Sequence, residues 1–164
     1  MINSLFKYTS ILSLLIIFFF SMGCGVNDEG NDQDQTRYFL VGESAEHKYG
    51  DSYILPLSSK EDIAKALDIL KQDISVRKTI IIAKIEKGGA AGKYVNKDLL
   101  NNEHSGWSWR ITEFIGFSDN SIEIYDGWPT YVEENLDDWM HNTEGKIGFW
   151  NYTLLREVRS DELQ

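Results

Sequence analysis

Short apolar runs and alternating apolar and polar positions predict six β-strands along the chain. They cover Tyr38–Val41, Tyr53–Leu57, Thr79–Glu86, Trp107–Phe114, Ser121–Tyr125 and Phe149–Val158. The third run is rich in isoleucine and apolar on both faces, which is typical of a central strand. Residues 47–51 form a polar turn between the first two strands, and residues 117–120 connect the fourth and fifth strands as a hairpin.

Two other segments repeat apolar residues at helical spacing. The first begins at Ser58, which has capping-box spacing to Glu61, and its apolar stripe is Ile63, Ala66, Leu67, Leu70 and Ile74. The second has Pro129 in its first turn and capping-box spacing between Thr130 and Glu133; its stripe is Val132, Leu136, Trp139 and Met140. The element order predicts an α+β fold, an antiparallel sheet of about five or six strands with two helices packed on one face.

The chain begins with an apolar leader. Residues 11–20 are nearly all apolar, and small residues surround position 23, as at the cleavage site of a secretory signal. The run is about half of the roughly 20 apolar residues that a membrane-spanning helix needs. Ser21-Met22-Gly23-Cys24 resembles the lipobox of bacterial lipoproteins, although Ser21 stands where leucine is usual. An ordinary secretory signal and an uncleaved anchor are the alternatives.

The lipobox resemblance implies cleavage before Cys24 and diacylation of its thiol, for which palmitate is the natural label. The protein is then an exported lipoprotein of the bacterial cell envelope, because two acyl chains hold a protein stably at a membrane. Residues 1–23 are the signal peptide, 24–36 a lipidated and disordered tether, and 37–160 a single domain. Cys24 is the only cysteine, so the domain has no intrachain disulfide.

The domain is acidic. Lys7 is the only charged residue in 1–23, so removal of that segment changes the formal net charge from −10 to −11. Nucleic acid and anionic headgroups are poor partners for such a chain, since phosphate binding requires clustered Lys and Arg. Neutral or cationic partners fit the charge better.

Little in the sequence indicates catalysis. The glycine run at 88–92 lacks the Gly-Lys-Ser/Thr ending of a phosphate loop, so we interpret it as a flexible loop. The histidines at 47, 104 and 141 are too scattered for a zinc site, and we predict no metal and no cofactor. A hydrolase-like enzyme that uses His104 or Glu113 is an alternative function. Glu113 has the parity of the inward-facing Trp109, and a bulge would return it to solvent.

All five tryptophans lie in the second half of the chain, where they either fill the core or line a ligand groove. Aromatic rings beside amides and carboxylates suit sugars or peptides. The predicted binding surface consists of Asn102, His104, Trp107, Trp109, Glu113, Asp126, Trp128, Trp150 and Asn151. The leading hypothesis is therefore a binding module for an unknown protein, peptide or sugar. An inhibitor or a structural envelope protein is a further alternative.

Several stretches between about Tyr38 and Val158 resemble a family of small exported bacterial domains. A relative forms the N-terminal domain of a slime-mould protein, and some members are labelled calmodulin-binding protein. The stretches are residues 57–66, 107–109, 121–127, 131–137 and 154–158. The resemblance implies no settled activity.

The chain departs from that family at three places. Arg110-Ile111-Thr112-Glu113 replaces His-Leu-Asp-Pro, Tyr125 replaces a cysteine, and Gly148-Phe149-Trp150 replaces Cys-Pro-Trp. Chemistry that needs that histidine or those thiols is therefore not implied here. The calmodulin label also fits poorly, because calmodulin targets are basic amphipathic helices, whereas the segment 130–141 is acidic and 59–74 is mixed.

Overall fold

The computed structural model describes residues 36–43, 50–92, 94–101, 106–119 and 127–164. All of them belong to one compact unit, Gln33–Gln164. The predicted signal, the tether up to residue 35 and the strand predicted at 121–125 lie outside the described residues. Among the described residues, no helix has the length and apolar character needed to cross a membrane.

The described residues form both strands and helices. The strands are β1 (Arg37–Glu43), β2 (Ser52–Leu57), β3 (Ile80–Lys87), β4 (Ala90–Ala91), β5 (Tyr94–Val95), β6 (Trp109–Ser118), β7 (Lys146–Ile147) and β8 (Tyr152–Glu157). The helices are α1 (Lys60–Leu70), α2 (Pro129–Glu134) and α3 (Leu136–Thr143). The strands pair antiparallel in three sheets, β2-β1-β8, β6-β3-β7 and β4-β5. The predicted α+β class with antiparallel strands is confirmed.

The register of the first sheet decides which residues share an end. Arg37 pairs with Leu57 at one end, and Glu43 pairs with Tyr152 at the other. β1 contains seven residues. At about 3.3 Å per residue, these two ends are roughly 20 Å apart. The described chain therefore begins at one end of the sheet, and β8 begins at the opposite end.

The second sheet places β3 in its centre, as the isoleucine run predicts. β6 continues to Ser118, and its last residues pair with the start of β3. The connection predicted at 117–120 is therefore wrong for Phe117 and Ser118, which lie in the strand. The predicted flexible loop at 88–92 is also wrong in part, because Ala90 and Ala91 pair with β5 in a short hairpin.

Helix α1 begins later and ends earlier than predicted. Ser59, not Ser58, is the N-cap, and its Oγ accepts a hydrogen bond from the Asp62 N–H at 3.3 Å. The helix ends at Leu70, and Ile74 lies in a separate 3-10 turn where its side chain is exposed. The predicted stripe is therefore wrong at Ile74 and correct for the four positions before it, which pack on the core.

The second predicted helix is divided into α2 and α3 at Asn135, whose φ of −126° and ψ of 31° leave the helical region. Pro129 occupies the first turn as predicted. The capping box predicted for Thr130 and Glu133 is wrong, because Trp128 is the N-cap residue and makes no side-chain cap. The predicted stripe is confirmed, since all four of its residues pack on the core.

The main core lies between the two three-stranded sheets and the helices. It contains aromatic residues from both sheets and from α3, among them Tyr53, Trp107, Trp109, Trp139, Phe149 and Tyr152. Neighbouring rings in this group are in contact, with centroids 5.4–6.1 Å apart. The contacts lead from Trp107 to Trp109, then to Tyr53 and to Phe149, and Phe149 also contacts Trp139 and Tyr152. Offset and tilted contacts of this kind add to the stability that burial provides.

Candidate functional site

A buried carboxylate organises one end of the first sheet. Asp51, which is almost fully buried, precedes β2. Its Oδ2 accepts hydrogen bonds from the backbone N–H and the hydroxyl of Thr130, both at 2.8 Å. Its Oδ1 accepts the hydroxyl hydrogen of Tyr152. Asp51, which lies next to β2 and far from α2 in the sequence, therefore caps α2. It also joins that helix to the start of β8.

The Tyr152 hydroxyl stays protonated in this environment. Burial raises the pKa of Tyr152, and the hydrogen bond to Asp51 raises it further. The phenol is thus a hydrogen-bond donor to the carboxylate over the whole physiological pH range.

Trp150 projects from a tight turn immediately before β8. The Tyr152 N–H donates to Phe149 O at 3.4 Å, which closes a four-residue turn. Asn151, the third residue, has a φ of 62°, and β-turns with a left-handed third residue favour glycine or asparagine there. Phe149 and Tyr152 are buried, whereas the Trp150 side chain is 56% exposed. Buried aromatic residues on both sides therefore fix the backbone of the turn that carries the exposed indole.

Two further apolar side chains lie at the same end of the sheet. Trp128 stands two residues before Thr130, which Asp51 binds, just as Trp150 stands two residues before Tyr152. Leu100 is 49% exposed, and its Cδ1 lies 3.0 Å from where a Cβ on Gly42 would stand. Gly42 faces the side of the sheet away from the main core on which Trp128 packs, so Leu100 lies on the other side of the sheet. We call Trp128, Trp150 and Asn151 the Trp150 face.

The polar groups at this end of the sheet are largely used inside the protein. Ser52 donates to Asp98 Oδ1 at 2.6 Å, and the same oxygen accepts the backbone N–H groups of Leu100 and Asn101 at 2.9 and 3.0 Å. The Asp98 side chain is almost fully buried. Together with the bonds to Asp51, these bonds use buried polar groups at this end of the sheet inside the protein.

The structure separates the predicted binding residues into different environments. Trp107 and Trp109 are buried and stack with centroids 5.9 Å apart, so they contribute to the core. Trp128 is half-buried, and Trp150 and Asn151 are exposed. Asn102, His104 and Asp126, as well as Cys24, lie outside the described residues.

Glu113 is exposed because β6 contains a bulge. Lys84 pairs with Glu113 and Ile85 pairs with Ile111, so Thr112 is an extra residue between them. An extra residue reverses the alternation along a strand. Glu113 therefore faces solvent, as the bulge alternative predicts, and is not an inward-facing acid.

The described residues contain no group of three or more His, Cys, Asp or Glu side chains that could hold a metal ion. A groove of about 550 Å³ lies at the opposite end of the first sheet, between Thr36–Tyr38 and Glu157–Leu163. Its charged side chains bind one another, because Arg37 Nε donates to Glu157 Oε1 at 2.6 Å. This contact lowers the pKa of Glu157.

Sequence reasoning missed Asp51. Asp51 reads as one polar residue of a turn, and no local pattern relates it to Thr130 or to Tyr152. The sequence did contain one indication of the turn, which is the asparagine that follows Trp150. Asparagine tolerates the left-handed conformation that such a turn requires at Asn151.

Comparison with known proteins gives one positive result. A family model described as the BP-74 N-terminal domain matches residues 35–161. No curated protein matches the chain, and no solved structure matches it.

Proposed function

Since the chain belongs to the BP-74 N-terminal domain family, whose description states no activity, we propose a function from the geometry of its own site. The protein is a lipid-anchored binding module of the bacterial cell envelope that captures a ligand with the Trp150 face. The exposed indole of Trp150, carried by a turn between two buried aromatic residues, is the observation that supports this proposal.

Trp150 has the properties of a recognition residue. Tryptophan is enriched among residues that dominate binding energy, because it covers a large area with few rotatable bonds. Because its two neighbours in the turn, Phe149 and Tyr152, are buried, the backbone that carries the indole loses little conformational entropy on binding. Because the side chain is 56% exposed, most of its area is available for a contact outside the chain.

Anchoring rests on the N-terminal sequence. The apolar run at 11–20 and the Ser21-Met22-Gly23-Cys24 motif support export, cleavage and acylation of Cys24. Metabolic labelling with palmitate tests this part: the label should enter the intact protein and be absent from the Cys24→Ala variant. An unlabelled intact protein would contradict the anchor.

Ligand capture is tested with the chain from residue 25 onward, immobilised and exposed to envelope extract and to a panel of glycan fragments. Trp150→Ala should reduce retention of the bound species at least about tenfold, the effect typical of a hot-spot tryptophan. Val76→Ala is the matched control, because Val76 is 60% exposed in the 3-10 turn after α1. Equal retention by the Trp150 and Val76 variants would refute the proposal.

A further inference from the structure

The groove of about 550 Å³ at the other end of the first sheet has the dimensions of a ligand site, since small-molecule sites span roughly 300–1,000 Å³. It lies between the start of β1 and the segment after β8, and the seven residues of β1 place it roughly 20 Å from the Trp150 end. We call it the Arg37 groove, and the side chains that define its chemistry are Arg37, Tyr38, Glu157, Arg159 and Ser160.

The charge of the Arg37 groove is opposite in sign to that of the chain. Its lining contains two arginines and one glutamate, which gives a formal charge of +1, whereas the whole chain carries −10. A second groove, along α2 and α3, is lined instead by four carboxylates and no basic side chain: Glu133, Glu134, Asp137 and Asp138. An anion therefore fits the Arg37 groove, and a charge of +1 matches an anion with a single negative charge.

The internal hydrogen bonds of the Arg37 groove leave donors for a ligand. Arg37 Nε and Nη2 donate to the two carboxylate oxygens of Glu157, so both of these acceptors are occupied. Arg159 Nε and Nη2 donate to Asp161 at 3.1 and 3.4 Å. Among the described residues, the Ser160 hydroxyl and the Nη1 groups of both arginines have no partner. The groove thus presents N–H and O–H groups to a ligand that accepts hydrogen bonds.

Tyr38 provides an aromatic wall. Its half-buried ring stacks on Tyr94 with centroids 5.4 Å apart and an interplanar angle of 28°. The Tyr94 hydroxyl donates to Ile54 O at 2.9 Å, which ties this ring pair to β2. Because Tyr94 occupies one face of the Tyr38 ring, only the opposite face can contact a ligand. A flat ring beside hydrogen-bond donors suits a sugar ring and its hydroxyl groups.

We propose that the Arg37 groove binds a hydroxylated monocarboxylate of the hexuronic acid class, with the carboxylate on Arg37 and Arg159 and the sugar ring against Tyr38. The site goes beyond the proposed function, because it shares no residue with the Trp150 face. A phosphate monoester is a poorer ligand, since its charge approaches two units at neutral pH and exceeds that of the lining. A neutral sugar lacks the charged acceptor that the two arginines favour.

Three sugars with the same ring and different groups at the sixth carbon test the ligand class: glucuronate, glucose and glucose 6-phosphate. They are titrated into the full chain in detergent micelles and followed by calorimetry. Glucuronate should bind at least about tenfold more tightly than glucose, the effect of hydrogen bonds to a charged group, and more tightly than glucose 6-phosphate. Equal affinities for glucuronate and glucose, a preference for the phosphate, or no binding of glucuronate would each overturn the proposal.

Two variants should change the affinity for glucuronate in opposite directions. Arg159→Gln removes one guanidinium group and should lower the affinity about tenfold. Glu157→Gln releases Arg37 from its carboxylate and should raise the affinity severalfold, a gain that unfolding cannot produce. Lys71→Gln is the matched control, because Lys71 lies in an ion pair outside the groove and is 76% exposed, against 74% for Arg159. An affinity that is unchanged in Arg159→Gln, or lowered in Glu157→Gln, would contradict the proposal.

The position of the sugar is measured by the chemical shifts of the isotopically labelled full chain. Glucuronate should shift the backbone amide signals of Tyr38 and Ser160 and leave the indole N–H signal of Trp150 unchanged. Trp150→Ala should bind glucuronate as tightly as the wild type, so the groove and the proposed function succeed or fail independently. Shifts confined to the Trp150 signal would place the sugar on the Trp150 face and refute a site in the Arg37 groove.

Discussion

The hydroxyl of Tyr152 donates to the carboxylate of Asp51, a residue 101 positions earlier in the chain. The other oxygen of the same carboxylate caps α2 through Thr130. Two elements that directly follow half-buried or exposed tryptophans are therefore held by one buried carboxyl group. This relationship links the stability of the domain to the geometry of the proposed binding surface.

Removal of that carboxylate should destabilise the fold and weaken binding together. Asp51→Ala leaves the N-terminus of α2 and the Tyr152 hydroxyl without their acceptor, so the free energy of unfolding should fall by about 3 kcal/mol. Urea denaturation measures the loss. Asp68→Ala is the control, because Asp68 forms only an exposed pair with Lys71 and its removal should cost less than about 0.5 kcal/mol. Similar losses in the two variants would show that the carboxylate does not join the elements.

Two buried tyrosines should respond differently to loss of their hydroxyls. Tyr152→Phe removes a donor to a buried carboxylate, and should cost about 1–3 kcal/mol of unfolding free energy. The Tyr53 hydroxyl is buried and has no hydrogen-bond partner among the described residues. Tyr53→Phe should therefore be neutral or slightly stabilising. Chemical denaturation of both variants measures the two changes in unfolding free energy. A larger loss for Tyr53→Phe than for Tyr152→Phe would contradict the prediction.

The domain should lose stability at alkaline pH. Burial raises the pKa of Tyr53, Tyr94 and Tyr152 above the value of an unfolded tyrosine, which is about 10. The folded state then binds these protons more tightly than the unfolded state. Their contribution is fully present below about pH 10 and is lost as the pH rises above it.

Urea titrations at increasing pH, with tyrosinate absorbance recorded in parallel, check this dependence. Tyrosinate from the buried groups should develop only as the chain unfolds, and Tyr152→Phe should make the decline less steep. Tyr131→Phe is the control because Tyr131 is exposed. Full ionisation of all tyrosines in a chain that remains folded would contradict the prediction.

Gly89 should be the glycine least tolerant of a side chain. A Cβ at this position would lie 1.8 Å from the carbonyl oxygen of Trp107, a backbone atom that cannot move aside alone. Gly89→Ala should displace the β4–β5 hairpin and cost several kcal/mol of unfolding free energy, roughly 3 or more. Gly116→Ala is the control, since nothing lies within 4 Å of its Cβ position. Thermal denaturation of the two variants tests this prediction. Equal midpoint temperatures would show that Gly89 does not lie this close to the backbone of Trp107.

The sequence predicted those parts of the fold in which local pattern and tertiary burial agree. The isoleucine run indicated a central strand, and the apolar stripe from Ile63 to Leu70 indicated the buried side of α1. The cap of α2 could not be predicted, because local spacing favoured Thr130 and Glu133 while the actual acceptor, Asp51, lies next to β2. The two-residue strands β4 and β7 are too short for any periodicity.

The environments of the candidate binding residues were predictable only in part. Alternation along β6 cannot reveal the extra residue at Thr112 that turns Glu113 outward, since bulges depend on the partner strand. Composition likewise cannot distinguish a core tryptophan from an exposed one. Trp109 and Trp150 both precede a polar residue, and only tertiary packing buries the first and exposes the second.

The outer edge of β2 limits the ways in which this protein can bind a partner. Trp107 Nε1 donates to Ser52 O, Asn96 Oδ1 accepts from the Ile54 N–H, and Tyr94 Oη donates to Ile54 O, each at 2.9 Å. All three of these side chains are buried. A peptide that added itself as a further strand would have to displace three hydrogen bonds and open the core. A partner therefore cannot bind at this edge by adding a strand, and any contact that it makes there has to involve side chains.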